Sequence, residues 1–222
     1  PEIILSIGVM IIILFDLFFQ KQKGLSFTLV QFLLLIAAYY SLNNKFSFSY
    51  SAYTLNEFTN IFKFILIVGS LTIFHYTYKH LKFLKILKIE YFTISLLGLI
   101  GTMIMISANS LLMLYLGIEL LSLSLYALIG FNKKSSLSSE AAIKYYVLGA
   151  MSSGILLFGI SLIYGFTGSI AYDDIASQLI NIDMDSVDYI AIIFGIIFIT
   201  ASLCFKFGAA PFHMWVPDVY QG

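Results

Sequence analysis

Glu119 is the one charged residue of NSLLMLYLGIELLSLSLYALIG, residues 109–130. An acid at the centre of an apolar helix lies about 2.5–3.5 kcal/mol uphill in lipid. Such a group either takes up a proton and joins two helices by a hydrogen bond, or stays ionised beside a cation or water as a functional site. Both readings are open from this stretch alone. The second ionisable candidate is Lys206, which ends YIAIIFGIIFITASLCFK and precedes FGAAPFHMWVPDVYQG. A lysine near a helix end can extend its ammonium to water along its own stem. Pro211 favours a held lysine instead, because it cannot donate to the carbonyl of Phe207 and interrupts the helix just beyond Lys206. Irregular backbone at membrane depth occurs where it lines protein or a water-filled cavity, and transporters place ion sites at such breaks.

Lys144 follows Glu140 by one helical turn in SSEAAIKYYVLGAMSSG, so the two can pair on one face. That pair is either an interfacial salt bridge or part of a site. Ser138 or Ser139 is placed to cap the same helix. Farther along, Ala150 with Gly154 and Ser161 with Gly165 give small residues at a spacing that permits close helix packing. His213 sits beside the break at Pro211, where a group titrating near neutrality would respond to pH; His75 and His80 flank the end of another apolar run. The single Cys204 excludes an internal disulfide and a multi-cysteine metal cage. There is no P-loop, no GxGxxG opening a helix, no HExxH and no CxxC, so no cofactor or metal is expected on this chain.

These residues must be positioned by elements suited to lipid. The 222 residues are 60% hydrophobic and 11% charged, with a mean hydropathy of +0.95; a soluble domain carries roughly 25% charged residues. Runs of the required length, about 20 apolar residues, fall near 2–20, 25–42, 58–78, 90–107, 109–130, 141–166 and 188–210. They lack a period of two, so the expected fold is all-α, a single polytopic bundle of about seven transmembrane helices. All twelve basic residues are lysines. They sort by connection: Lys21 and Lys23, then Lys79, Lys82, Lys85 and Lys88, then Lys133 and Lys134 alternate with connections holding only Lys45, nothing, or Asp173, Asp174, Asp183, Asp185 and Asp188. By the positive-inside rule the lysine connections share one side and the N-terminus lies on the other. Residues 43–57, NNKFSFSYSAYTLNE, alternate polar with aromatic and read as a short hairpin or an interfacial segment. Balanced charge points to no nucleic-acid partner. The abundance of Lys, Phe, Ile and Tyr suggests an AT-rich, organellar genome.

KFGAAPFHMWVPDVYQG resembles the seventh-helix signature of the subunit 2 family of respiratory complex I, an antiporter-like membrane subunit of NADH:ubiquinone oxidoreductase. GIELLSLSLYALIGF and SSEAAIKYYVLGAMSSGILLFGISLIYGFTG resemble its fifth and sixth helices, and the initial PEI also fits. Similarity is dense from about residue 109 onward, and Gln221 departs from a glutamate common in the family. The resemblance implies a proton-translocating subunit coupled to quinone reduction, with Glu119 and Lys206 as its charged pair and Lys144 as the sixth-helix lysine. It implies a broken seventh helix, no redox chemistry or cofactor on this chain, and residence in the mitochondrial inner membrane or a bacterial plasma membrane. Partners would be membrane lipid and other complex I subunits, including a chain that completes the antiporter-like fold from an eighth helix onward. Alternatives are a free-standing cation/proton antiporter and a structural membrane anchor.

The lysine asymmetry makes a topological prediction. Single cysteines at Lys82→Cys and Asp183→Cys, in a background lacking Cys204, should react with an impermeant thiol reagent from opposite faces. Labelling from one face would overturn the helix count.

Overall fold

A computed structural model describes residues 1–18, 23–43, 47–50, 52–84, 86–181 and 187–221. Lys21, Lys45, Lys85, Asp183 and Asp185, which enter the charge pattern, lie outside the described residues. The elements are α1 (Glu2–Phe18), α2 (Lys23–Asn43), β1 (Phe48–Tyr50), β2 (Tyr53–Leu55), α3 (Glu57–Phe83), α4 (Glu90–Ile106), α5 (Leu111–Ile129), α6 (Ser136–Thr167), α7 (Tyr172–Asn181), α8 (Val187–Lys206) and α9 (Val216–Gln221). The seven apolar runs correspond to α1 to α6 and α8. Five of these, α2, α3, α5, α6 and α8, have the length and apolarity of a membrane crossing. α1 and α4 have 17 residues each, about 25 Å of helix and at the short end of what spans a bilayer.

Local chemistry sets several of the boundaries. Asn56 and Thr59 form a reciprocal capping box, with Thr59 N–H donating to Asn56 Oδ1 at 2.8 Å and Asn56 N–H to Thr59 Oγ1 at 3.0 Å. Ser110 caps α5. α6 begins earlier than its apolar run because Ser135, not Ser138 or Ser139, is the cap. Ser138 instead donates its hydroxyl to the Ile129 carbonyl at the end of α5. The acidic connection contains α7, whose first turn holds Asp173 and Asp174 where the helix dipole favours negative charge. The described part of residues 43–57 forms the hairpin: β1 pairs antiparallel with β2, Phe48 opposite Leu55 and Tyr50 opposite Tyr53.

Many large apolar side chains face outward, while small and hydroxyl-bearing residues are buried beside the apolar core. Ile7, Met10, Phe32, Ile65, Ile73 and Phe158 are all more than half exposed, whereas Ser26, Ser41, Ser70, Ser152, Ser153 and Ser202 are buried. That distribution suits lipid, where outward apolar side chains cost nothing and close packing and hydrogen bonds hold helices together. Some buried hydroxyls are satisfied along their own helices, as where Ser41 donates to Ala38 O and Ser70 to Ile67 O, and others across helices, as where Ser26 donates to Asp16. One core joins α1, α2, α3 and α4 around Leu5, Leu34, Ile67 and Phe92; a smaller one joins α5 and α6 around Ile118, Leu156 and Ile160, with Ile199 and Leu203 of α8 packed on it.

Backbones approach most closely where two glycines face. A Cβ on Gly101 would meet the Gly117 carbonyl at 2.8 Å, joining α4 to α5, and one on Gly159 would meet the Gly195 carbonyl at 2.7 Å, joining α6 to α8. The packing face of α6 therefore runs through Gly149, Ser152, Ser153, Leu156, Gly159 and Ile163. Ala150, Gly154, Ser161 and Gly165, expected to pack, all face outward, and nothing lies within 4 Å of a Cβ placed on Gly154 or Gly165. The spacing therefore pointed to the wrong stripe, because small residues recur on two neighbouring faces of α6 and spacing does not tell which one faces α8.

The connections gather at two ends. The hairpin is stitched to the α4–α5 connection by Thr54 N–H to Ser107 O and Asn109 N–H to Ala52 O, and the α6–α7 connection joins there through Leu111 N–H to Ile170 O. At the opposite end Lys23 donates to Leu87 O and Lys88 lies over the Phe131 ring. The described lysine-bearing connections thus share one end, as alternate-loop sorting requires.

Gly159→Val should destabilise the chain by about 1–3 kcal/mol, the usual range for overpacking a tight contact. Thermal denaturation in detergent should show a lower midpoint; an unchanged midpoint would mean α6 and α8 are not in this contact.

Candidate functional site

The α6–α8 contact also positions the ionisable pair. Ser152 and Ser202 staple the two helices, hydroxyl to hydroxyl at 2.9 Å, with Ser202 also reaching the Ser152 carbonyl at 2.7 Å. Ser153 follows directly on α6, and Lys206 lies one turn beyond Ser202. Glu119 is held at the middle of α5, which packs on α6. The result is a closed set of contacts. Lys206 Nζ donates to Ser153 Oγ at 2.8 Å, to Ser122 Oγ at 3.2 Å and to Glu119 Oε1 at 3.3 Å. Ser153 Oγ in turn donates to the same Glu119 oxygen. An ammonium has three donors, and all three have acceptors from two other helices. The side chains of Lys206 and Glu119 are 12% and 22% exposed. A cavity of about 340 Å³ opens against Lys206, lined also by Ile118, Ser122, Tyr145, Leu203 and Phe207.

The helix stop beside Lys206 has a different cause from the one expected. α8 ends at Lys206, not near residue 210, and Pro211 falls inside the turn that follows. The stop is made by Gly208, whose φ of 63° is left-handed. Gly208 N–H donates to Phe205 O and Ala209 N–H to Cys204 O, the paired bonds of a Schellman ending. A glycine takes this conformation without the steric penalty of a Cβ. Trp215 then folds back, donating its indole N–H to Phe205 O at 3.2 Å and stacking on Tyr145 at 4.6 Å. The broken end is therefore fastened to α6 by aromatic contact.

Lys144 is held elsewhere, 47% exposed at the lysine end, between Glu140 at 2.8 Å and Asp218 of α9 at 2.9 Å. His213 is exposed in the turn. The structure thus unites Glu119 with Lys206 and leaves Lys144 and His213 in other surroundings. Ser122, three residues after Glu119, was legible as a neighbour on the same helix face. Ser153 and Asp218 carried no local signal. Lys63 was missed, since a lysine near a helix start can extend to water; it is fully buried and paired with Glu2 at 2.5 Å. Among the described residues no three His, Cys, Asp or Glu side chains converge as a metal site would need.

The transmembrane pattern of the NADH:quinone oxidoreductase/Mrp antiporter family matches residues 108–222, over half the chain and including both Glu119 and Lys206. The chain belongs to that family. A relative from Ruthia magnifica subsp. Calyptogena magnifica, NADH-quinone oxidoreductase subunit N, is 41% identical across 100% of the chain and 47% of its own length. Another subunit N, from Thiobacillus denitrificans, is 48% identical over 74% of the chain and 33% of its own length. In a structure of respiratory complex I from Thermus thermophilus with bound aureothin, one chain superposes with a TM-score of 0.72 at 25% identity, over 100% of this chain and 47% of that one. A chain of the membrane-bound sulfane sulfur reductase, an archaeal respiratory membrane complex, shares the fold with a TM-score of 0.82 at 23% identity, covering 98% of this chain and 46% of that one. The chain spans about half the length of the curated relatives it matches. The family's helices and these relatives make it a multi-pass membrane protein of the antiporter-like type. Both subunit N relatives are bacterial, which gives the expected mitochondrial location no support.

Gly208→Ala would place a Cβ 2.7 Å from Val216 Cγ2 and a side chain in a left-handed residue, costing about 1–2 kcal/mol. The emission of Trp215, the sole tryptophan, should shift to the red as its stacking loosens. Unchanged emission and stability would show that Gly208 does not set the stop.

Proposed function

We propose that this chain forms proton-translocating helices of a bacterial subunit N, coupling quinone reduction by NADH to proton movement through Glu119 and Lys206. The observation that carries the reading is the complete acceptor set around the Lys206 ammonium, assembled inside the bundle from Glu119, Ser122 and Ser153. With Glu119 ionised, Lys206 keeps its proton; when the pair is pulled apart, the lysine gives that proton up. Removing the partner of a buried charge is worth about 3–5 kcal/mol, and driving one charge against 100 mV takes about 2.3 kcal/mol. The scale is sufficient. Ser153 bridges base and acid and can pass a proton between them, donating to Glu119 as it accepts from Lys206.

The reading places the chain in a bacterial plasma membrane, with lipid around it, other respiratory-complex subunits beside it and its redox cofactors on those subunits. Further antiporter-like helices, from an eighth onward, would complete the site next to Lys206. Lys144 belongs to the path by resemblance, and His213 by its place beside the break, where a pH-responsive group would act. Lys144, tied to Asp218 across the break, is suited to sense movement of α9.

Glu119→Gln keeps shape and removes charge. In native membrane vesicles it should abolish most NADH-driven acidification while the complex still assembles. Ser153→Ala removes one acceptor of a charged donor, about 1–3 kcal/mol, and should fall between the wild type and Glu119→Gln. Normal acidification by Glu119→Gln would overturn the site. Acidification by this chain without respiratory subunits would favour a free-standing antiporter.

A further inference from the structure

A second set of ionisable side chains lies at the hairpin end, outside the region matched by the family pattern. Lys63, on the second turn of α3, is 0% exposed and the one Lys, Asp or Glu in α3 between Glu57 and Lys79. Its ammonium pairs with Glu2 Oε1 at the start of α1 and donates to Tyr53 Oη at 3.0 Å. Tyr53 Oη donates to the same Glu2 oxygen at 2.8 Å, and the ammonium lies 5.1 Å from the Tyr53 ring centre. The Glu2 side chain, 16% exposed, is the member with access to water. Three elements converge on one buried lysine.

Stability alone does not account for this arrangement. A buried ion pair loses much of its attraction to desolvation, and apolar residues of similar volume often serve a fold equally well. The donors also run in one direction, from buried Lys63 through Tyr53 to partly exposed Glu2. Burial, and then the charge of Glu2, push the Tyr53 phenol above its usual range, so it stays protonated and able to donate. The cover over the set is hydrogen-bonded to the connection that leads into the helix of Glu119. The hairpin strand carrying Tyr53 bonds to Ser107 O, just before the helix of Glu119, and the buried Ser107 hydroxyl lies beside the phenol.

We propose that Lys63, Tyr53 and Glu2 form a second proton-exchange site, which delivers protons to water at the hairpin end of the bundle. The inference rests on the reading of this chain as a proton carrier. In the transfer, the Lys63 ammonium loses a proton to Glu2, directly or by Tyr53 accepting it while passing its own proton on. This leaves a neutral amine, an unchanged phenol and a carboxylic acid. Release to water restores the Glu2 carboxylate, and the amine takes a new proton from the bundle interior. One proton crosses the set per cycle and no other bond changes.

The test uses the whole complex in native membrane vesicles, measuring NADH oxidation and protons moved in the same preparation. The paired variant Glu2→Leu with Lys63→Met removes both charges together and strands neither. Assembly and NADH oxidation should persist while protons moved per NADH fall; a wild-type ratio would overturn the proposal. A merely structural pair would lower both readouts in parallel, which also overturns it. If the apolar pair does not assemble, Glu2→Asp decides, since it keeps the acid but shortens its reach to Lys63 and Tyr53. A reduced ratio supports the site and an unchanged ratio sinks it. Glu119→Gln is run alongside. Normal pumping in that variant with a loss at Glu2 and Lys63 counts against the Glu119 reading alone, and the reverse counts against this one alone.

Discussion

An ammonium inside a lipid-facing bundle needs an acceptor for each of its protons, and the organisation around Lys206 follows from that need. The three acceptors come from α5 and α6, while the lysine itself ends α8. Three helices must therefore meet within hydrogen-bonding distance of one nitrogen. Large side chains between them would hold the backbones apart, so the contacts run through glycine and serine. Gly159 against Gly195 and Ser152 against Ser202 bring α8 onto α6. Gly101 against Gly117 carries the contact on to α4 and thus ties this trio to the first four helices.

The end of α8 is shaped by the same requirement. A helix continuing past Lys206 would carry its side chains along α6 toward the membrane surface. The left-handed Gly208 turns the chain at once, and Trp215 returns to stack on Tyr145 of α6. Tyr145 in turn meets Tyr126 of α5 edge to face, 4.7 Å between ring centres. Backbone carbonyls at the stop are not abandoned, since Phe205 O accepts from both Gly208 N–H and the Trp215 indole. The break is thus a packed structure, with α9 docked by Asp218 to Lys144.

The two ends of the bundle differ in kind. At the lysine end the charges are exposed or half-exposed and screened by water, so pairs such as Lys144 with Glu140 contribute little to stability. At the hairpin end a charge is fully buried and a strand pair covers it. A hairpin of two three-residue strands has little stability of its own. It persists here because it bonds to the Ser107 and Asn109 backbone and because Tyr53 completes the surroundings of Lys63.

The sequence by itself determined the elements that lipid dictates. A run of about 20 apolar residues must become a helix because nothing else satisfies its backbone. Hence α2, α3, α5 and α8 were legible, with Glu119 at mid-helix and Lys206 near a helix end. Alternation in residues 43–57 left a hairpin and an interfacial segment both open, and lysine sorting announced two ends. Boundaries set by one cap or one φ were less legible, since Ser135, Ser138 and Ser139 are chemically alike and Gly208 competes with Pro211 as a stop. Only the tertiary structure decided who accepts from Lys206, which stripe of α6 faces inward, and that Lys63 is paired rather than extended to water. Ser153 lies far from both Glu119 and Lys206 in the chain and meets them through helix packing alone. Hydropathy and capping act within a few residues along the chain. A buried charge is satisfied by whatever the fold brings to it from elsewhere, and that depends on how helices rotate and cross.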